Sequence, residues 1–446
     1  MKFSSSSDVF AWLSKFINLE RGQTPKSFNP KRMEFLTELA GNPERCAPSI
    51  HIAGSKGKGS VTGMITAILT AEGFRTARYM SPHVIDIRER ICLGSSYFSE
   101  DIYCTAGDEL RKAENRCTEF EPTFWELLTL YFFLCAKHAN CDVIVAETGM
   151  GGRLDSTNVL DPLVSVITLI ELEHTNFLGN TIAEVAGEKA GIIKQGKPLI
   201  LAKQESAALE VFKKKAKEKN SPLLYFPEIA ELSDITVHGN GTDFTVCFKS
   251  ANSALESTLA LSIPIPGKVQ AENAALAIAA VKTAFPHIDE NTICSGVKNL
   301  NIPARFEKLP HELPFIIDGA HTPESLELCI ETFCSLYGEG GVLIFGCAAD
   351  KDAAAMARIA IPHFSKIFIT TPGTFKISNP PLVYDAFAEL EREKTQLILD
   401  TQEAVKQAVR FAKKTCKNDK SLPILGTGSF YLVSEIRKNF QPNSMF

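Results

Sequence analysis

What the chain does without narrows its class first. No two of its twelve cysteines stand in a Cys-x-x-Cys pair. Cys135, Cys247 and Cys347 lie inside apolar runs, so the cysteines read as reduced core residues of a cytosolic protein, not as disulfides or a zinc site. The longest apolar stretch, around Leu127–Ala136, is too short to span a bilayer, so no membrane partner is expected. Met1-Lys2-Phe3 and the serines after it lack the apolar centre of a secretion signal, and a cytoplasmic location is expected. The net charge is −5 and no basic stripe interleaves with aromatics, which argues against a nucleic-acid partner. Internal repeats, low-complexity tracts and long charge blocks are also missing.

What is there is an ordinary globular composition: 446 residues, 45% hydrophobic and 22% charged. That length suggests two domains, or three, each able to bury its own core. Up to about residue 200, short β-rich runs such as Val143–Ala146 and Val164–Leu169 alternate with helical patterns. Such alternation predicts a mainly parallel sheet covered by helices. Ile235–Val237, Phe244–Phe248 and Thr258–Ile263 predict a small antiparallel subsheet, with residues 238–243 as its hairpin turn. An Ala-rich helix over Ala271–Thr283 follows, then a linker around Asn301-Ile302-Pro303. Beyond it, Phe315–Ile317, Val342–Phe345, Ile367–Thr370 and Leu397–Leu399 alternate with helices again, as in a smaller doubly wound domain.

The most informative stretch is Gly54-Ser55-Lys56-Gly57-Lys58-Gly59-Ser60. It follows the apolar run Ile50–Ala53 and precedes a helical stripe of Val61, Met64, Ile65, Ile68 and Leu69, with Gly73 past its end. Strand, glycine loop and helix N-terminus in that order make a phosphate cradle, with Lys58 as a point charge and the Ser60 hydroxyl suited to Mg²⁺. The spacing departs from the Walker A pattern, which points to a variant P-loop; a plain Gly-rich turn with solvated lysines is the alternative.

Other candidates follow from strand-end logic. Glu147 ends an apolar strand beside a glycine-rich loop and reads either as a Walker B-like Mg²⁺ ligand or as a strand-end carboxylate in a polar loop. His174, after the next strand, reads as a loop histidine or as a second group aimed at the same ion. Thr181 and Glu184 form a capping box for a helix running into Lys189, and a lysine there reads simply as a cation favoured by the helix dipole. Asp318-Gly319-Ala320-His321 repeats the strand-end arrangement in the second half, and Arg305 lies where a cation reaches across a domain cleft.

These residues together resemble the folylpolyglutamate synthase and dihydrofolate synthase family of the Mur ligase superfamily. The motifs carrying the resemblance are Gly54–Ser60, Ser81-Pro82-His83 with Glu89-Arg90-Ile91, residues 149–158, 173–181, 187–194, 270–275, 304–307 and 318–323, and Thr427-Gly428-Ser429. The resemblance implies an α/β protein. Residues 1–300 would be a P-loop ATPase-like domain with a mainly parallel sheet, a small antiparallel subsheet and folate-binding loops. Residues 301–446 would be a Rossmann-like glutamate ligase domain.

It further implies an ATP-dependent amide ligase that adds L-glutamate to a pteroate or folate carboxylate through an acyl phosphate, with dihydropteroate or a reduced folate as acceptor, and a monomeric state. Gly57, Lys58, Gly59 and Ser60 would hold the ATP phosphates, and Asn273, Arg305 and Asp318 would contact ATP from the interface. Ser81, Glu147 and His174 would hold Mg²⁺, and a carbamylated Lys189 would help hold a second ion. Lys58, His174, Lys189, Arg305 and His321 would serve catalysis. Substrate would meet Ser81, His83, Thr123, Phe124, Trp125, Glu126, Leu154, Asp155, Ser156 and Ser429. Ser55-Lys56, Glu173, Val269 and Thr322 depart from the pattern usual at their positions, and Thr322 lies beside the expected reaction centre. The alternatives are another Mur-type amino-acid ligase and a non-catalytic nucleotide-binding protein.

Overall fold

A computed structural model describes residues 2–18, 29–249, 257–373, 376–415 and 421–440. Three sheets organise them. The first holds β1 (Ser49–Ala53), β2 (Thr76–Tyr79), β3 (Ile91–Leu93), β4 (Val143–Glu147), β5 (Val164–Ile167), β6 (Leu199–Leu201) and β7 (Leu223–Tyr225) in the order β3-β2-β4-β1-β5-β6-β7. Its pairings are parallel except at the β2–β3 edge. β1 therefore sits centrally, with β4 on one side and β5 on the other.

Residue alternation explains how both faces are covered. On β4, Val143 and Val145 pack into one core with the Lys58–Ala71 and Lys268–Ala284 helices, whereas Ile144 and Ala146 pack into the other with the Glu100–Arg116 and Phe124–His138 helices. A strand buried on both faces is apolar at every position, which is why these runs read as continuous.

The second sheet is the expected antiparallel meander: β8 (Ala230–His238), β9 (Gly241–Phe248) and β10 (Ser257–Ile263). β8 is longer than its apolar segment suggested, because its outer positions are polar and half exposed.

The third sheet holds β11 (Glu307–Lys308), β12 (Phe315–Ile317), β13 (Gly341–Phe345), β14 (Phe364–Ile369), β15 (Thr395–Leu397) and β16 (Ile424–Thr427) in the order β11-β12-β16-β13-β14-β15. Only β11 is antiparallel to its neighbour. The strand expected at Leu397–Leu399 is displaced towards the N-terminus: Thr395 turns its side chain into the core, while Leu399 is left 55% exposed. Every described cysteine is free, as expected, but Cys247 is only half-buried because it lies on the outer face of β9; Cys416 falls outside the described residues. No described helix is long and apolar enough to cross a membrane.

Where the Lys58–Ala71 helix meets the Glu290–Lys298 helix, Gly296 permits backbone contact: a Cβ there would lie 2.6 Å from the Ile68 Cα. Gly187, also helical, has open space around its Cβ position. Gly296→Ala is expected to destabilise the protein by about 1–3 kcal/mol through overpacking. Gly187→Ala is expected to stabilise it by about 0.5–1 kcal/mol by restricting the unfolded chain. Thermal or denaturant midpoints of the two variants should move in opposite directions.

Candidate active site

A cavity of about 1210 Å³ opens where the C-terminal ends of β1 and β4 face those of β12 and β16. That volume exceeds the roughly 300–1,000 Å³ usual for one small ligand. Its floor is the glycine loop. Gly54 and Gly57 have φ of 149° and 88°; a Cβ on Gly54 would lie 1.8 Å from Thr168 Oγ1, and one on Gly57 2.5 Å from Asn273 Oδ1. The loop thus threads between β5 and the Lys268–Ala284 helix and delivers the chain into the Lys58–Ala71 helix. No side chain caps that helix, so its first amides and dipole are available to an anion. Lys58 Nζ donates to the Gly54 carbonyl at 2.8 Å.

Glu147 lies beside the loop, in register with Ile52 of β1. It is 3% exposed, and its Oε2 has no hydrogen-bond partner. Burial pushes its carboxyl up to about 7, opposed by the charges of Lys58 and Arg305. Arg305 comes from the other half of the chain. Its Nη2 would be 3.3 Å from a Cβ on Gly59, and its guanidinium lies over the Phe430 ring at 4.5 Å. Ala304 and Phe306 flank it with φ of 59° and 45°, and both Asp318 oxygens accept backbone amides, from Phe306 at 2.7 Å and Ala320 at 2.8 Å. Asp318 thus shapes the turn that presents Arg305.

His321 Nδ1 meets the Gly319 carbonyl at 2.8 Å, so Nδ1 carries the proton and Nε2 is left as the acceptor. Loss of hydration, helped by Lys56 and Lys351, lowers this imidazole to about 3. Thr322 begins the Pro323–Tyr337 helix with its own capping box, and Ser429 caps the Phe430–Lys438 helix by accepting from the Tyr431 amide.

On the opposite wall, His174 takes a left-handed φ of 47° at the start of a short turn, and loss of hydration lowers its imidazole to about 4. Lys189, 1% exposed, ends the Ile182–Lys189 helix. Its Nζ donates to the Gly54 carbonyl at 2.7 Å and to Glu173 Oε1 at 2.6 Å. Burial pulls this ammonium below the ordinary lysine range, with Glu173 opposing. A dipole-stabilised surface cation does not describe it.

Gly57, Lys58, Gly59, Ser60, Ser81, Glu147, His174, Asn273, Arg305, Asp318, His321 and Ser429 all line the cavity, as do Thr123, Trp125, Glu126, Leu154, Asp155 and Ser156. Lys189 lies just behind its wall. Two expected substrate residues do not line it. Phe124 packs into the core at 3% exposure, because consecutive helix positions point about 100° apart and Trp125 takes the cavity side. His83 is turned away by Arg90, whose Nε donates to its Nδ1 at 2.8 Å.

The structure also brings in residues that sequence reading did not single out. Arg32 pairs with Glu126 at 2.7 Å. Lys351 lines the cavity after β13, where the strand-end rule applied to Glu147 would have found it. His51, inside β1, bonds Thr157 Oγ1 through Nε2 at 2.8 Å, and Thr157 Oγ1 donates to Asp155 Oδ1 at 2.5 Å. A histidine within a buried strand was the visible signal. Burial lowers His51 to about 3. The unfolded chain therefore takes up a proton that the folded one refuses, so this stability is complete above about pH 6.5 and is lost as pH falls towards 3. Stability of the native protein should fall in that window by up to about 1.4 kcal/mol per pH unit more than that of His51→Gln. Equal slopes in pH-dependent denaturant unfolding would contradict the assignment.

The Mur ligase middle domain family matches residues 52–281, and the Mur ligase glutamate ligase domain family matches residues 304–420. A folylpolyglutamate synthase of Lacticaseibacillus casei is 32% identical over 93% of this chain and 94% of its own length. A dihydrofolate synthase/folylpolyglutamate synthase of Bacillus subtilis is 30% identical over 92% and 94%. Among solved structures, a Mycobacterium tuberculosis folylpolyglutamate synthase complexed with ADP and AMPPCP superposes with a TM-score of 0.88 at 26% identity, covering 99% of each chain. An FPGS–AMPPCP–folate complex superposes at 0.83 with 27% identity, over 98% of this chain and 100% of that one. The chain belongs to the folylpolyglutamate synthase/dihydrofolate synthase family of Mur ligases.

Proposed function

We infer from this membership that the cleft performs ATP-dependent ligation of L-glutamate to the carboxylate of a pteroate or folate. The observation that carries the reading is Arg305, held beside Gly59 and Glu147 of the opposite half. Cations from both halves thus meet where a γ-phosphoryl group above the glycine loop would lie. We assign residues 1–300 to the nucleotide- and folate-binding domain and 301–446 to the glutamate ligase domain, in a monomeric cytoplasmic enzyme.

Family membership implies Mg²⁺, and the site fits it. The partnerless Glu147 oxygen, the Ser81 hydroxyl and a neutral His174 would hold one ion. A carbamate on Lys189 would offer a carboxylate towards a second. When bound, Mg²⁺ spreads the charge of the phosphates and makes the γ-phosphorus more electrophilic.

The chain's own residues do the rest. Helix amides with Gly57, Gly59 and Ser60 seat the phosphates, while Asn273 presses on the loop. The acceptor carboxylate attacks the γ-phosphorus and ADP leaves, giving an acyl phosphate. Lys58 and Arg305 stabilise negative charge on the transferring oxygens. The glutamate amine then attacks the acyl carbon, and phosphate leaves carrying the proton that the nitrogen sheds. His321 is too weak a base at about 3 to hold the amine proton, so its Nε2 positions the amine as an acceptor, with Ser429 close by. Trp125, Leu154, Asp155 and Ser156 supply one wall for the acceptor, and closure around it excludes water from the acyl phosphate.

Assays of ADP release settle the reading. Turnover is expected to require both L-glutamate and a pterin acceptor, with dihydropteroate and tetrahydrofolate compared side by side. Release that needs neither, or that follows a cell-wall nucleotide, would discard it. Lys58→Ala is expected to lower kcat at least about 100-fold with circular dichroism unchanged, since its charge acts mainly in the transition state. Lys189→Ala is expected to be nearly inactive and to regain part of its turnover with added short carboxylic acids, while the native enzyme responds to bicarbonate. Full turnover in a folded Lys189→Ala variant would eliminate the carbamate.

A further inference from the structure

At the end of the C-terminal sheet remote from the cleft, three unlike side chains converge. Cys334 lies in the last turn of the Pro323–Tyr337 helix. Glu339 stands between Gly338 and Gly340, whose φ of 82° and 85° form the tight turn into β13. His363 ends the short helical turn that feeds β14. β13 and β14 are parallel neighbours, with Gly341 opposite Phe364, so both segments enter the sheet at the same end. A sulfur, a carboxylate oxygen and a ring nitrogen lie within 4.8 Å of one another. His363 Nδ1 is 3.0 and 3.2 Å from the two Glu339 oxygens. The reacting side chains that this half gives the cleft follow the C-terminal ends of β12 and β16, at the opposite end of the sheet, so the cluster has no part in ligation.

We propose that Cys334, Glu339 and His363 form a second metal site, selective for Zn²⁺ over Mg²⁺, that staples the end of the Pro323–Tyr337 helix to the N-terminal ends of β13 and β14. The donor chemistry carries the selectivity. A thiolate, an imidazole and a carboxylate suit a tetrahedral borderline cation with water as fourth ligand, whereas Mg²⁺ demands oxygen. The helix C-terminus, with its negative dipole end, favours a cation. Binding balances simply: the Cys334 S–H proton passes to solvent as the S–Zn bond forms, and the His363 proton moves from Nδ1 to Nε2. The fractional exposure of Glu339 and His363, 63% and 37%, gives the ion an entry path. The cysteine pattern of the sequence argued against zinc because these ligands come from three separate elements and share no local spacing.

The test is titration of the metal-stripped, full-length protein with Co²⁺ in excess Mg²⁺. A thiolate-to-cobalt charge-transfer band saturating at one equivalent is expected, and Zn²⁺ should abolish it by displacement. Cys334→Ser should remove the band, and His363→Ala should weaken affinity at least tenfold, each with ligase turnover retained. Zn²⁺ should also protect Cys334 from alkylation in peptide mass spectra of the native protein, a measurement that stands even where a variant fails to fold. Absence of the band, its persistence in Cys334→Ser, or equal alkylation of Cys334 with and without Zn²⁺ would overturn the proposal.

Discussion

The cleft is organised around one buried carboxylate. Glu147 is almost wholly removed from water, and one of its oxygens lacks any partner in the protein. Burying a charge without compensation is costly, so its ionised form depends on cations brought to it. Lys58 arrives from the loop after the adjacent strand, and Arg305 from the other half of the chain. The two halves are therefore matched electrostatically at a point where neither is complete alone. The carboxylate, the glycine loop and the arginine turn then fix the remaining geometry.

That turn shows how backbone conformation serves chemistry. Non-glycine residues rarely adopt positive φ, yet Ala304 and Phe306 both do, with Arg305 between them. Asp318 holds the conformation by accepting the Phe306 and Ala320 amides. Gly319 is required beside it, since a Cβ would strike the Phe430 ring at 2.2 Å. Phe430 in turn lies under the Arg305 guanidinium. Strand end, turn, aromatic ring and cation form one unit, and a substitution in any member is transmitted to the arginine.

The parts of this arrangement that obey local rules were readable in the sequence. The glycine loop, Glu147, His174 and Asp318 each follow an apolar strand, and parallel sheets place ligands at such ends. The capping box at Thr181 is likewise local and appears as expected. What could not be read depends on pairings across long sequence separations. Arg32 and Glu126 are 94 residues apart, and His51 and Thr157 are 106 apart. Direction on an element also escaped: Phe124 and Trp125 are neighbours in sequence but face core and cavity respectively. Lys189 was ambiguous for a related reason. Its position at a helix end suggested a solvated cation, and only the fold closes Gly54 and Glu173 around it.

One carbonyl oxygen joins two of these features. Gly54 O accepts from Lys58 at 2.8 Å and from Lys189 at 2.7 Å, so two ammonium groups are anchored to a single acceptor. They repel each other, and the Lys58 charge lowers the free energy needed to discharge Lys189. A phosphate that draws Lys58 off the carbonyl leaves Lys189 a better-bound cation; loss of charge at Lys189 leaves Lys58 more firmly seated on the loop. Occupancy of the phosphate cradle and the chemical state of a lysine 131 residues further along the chain are thus thermodynamically linked, and by reciprocity neither can be tuned without changing the other.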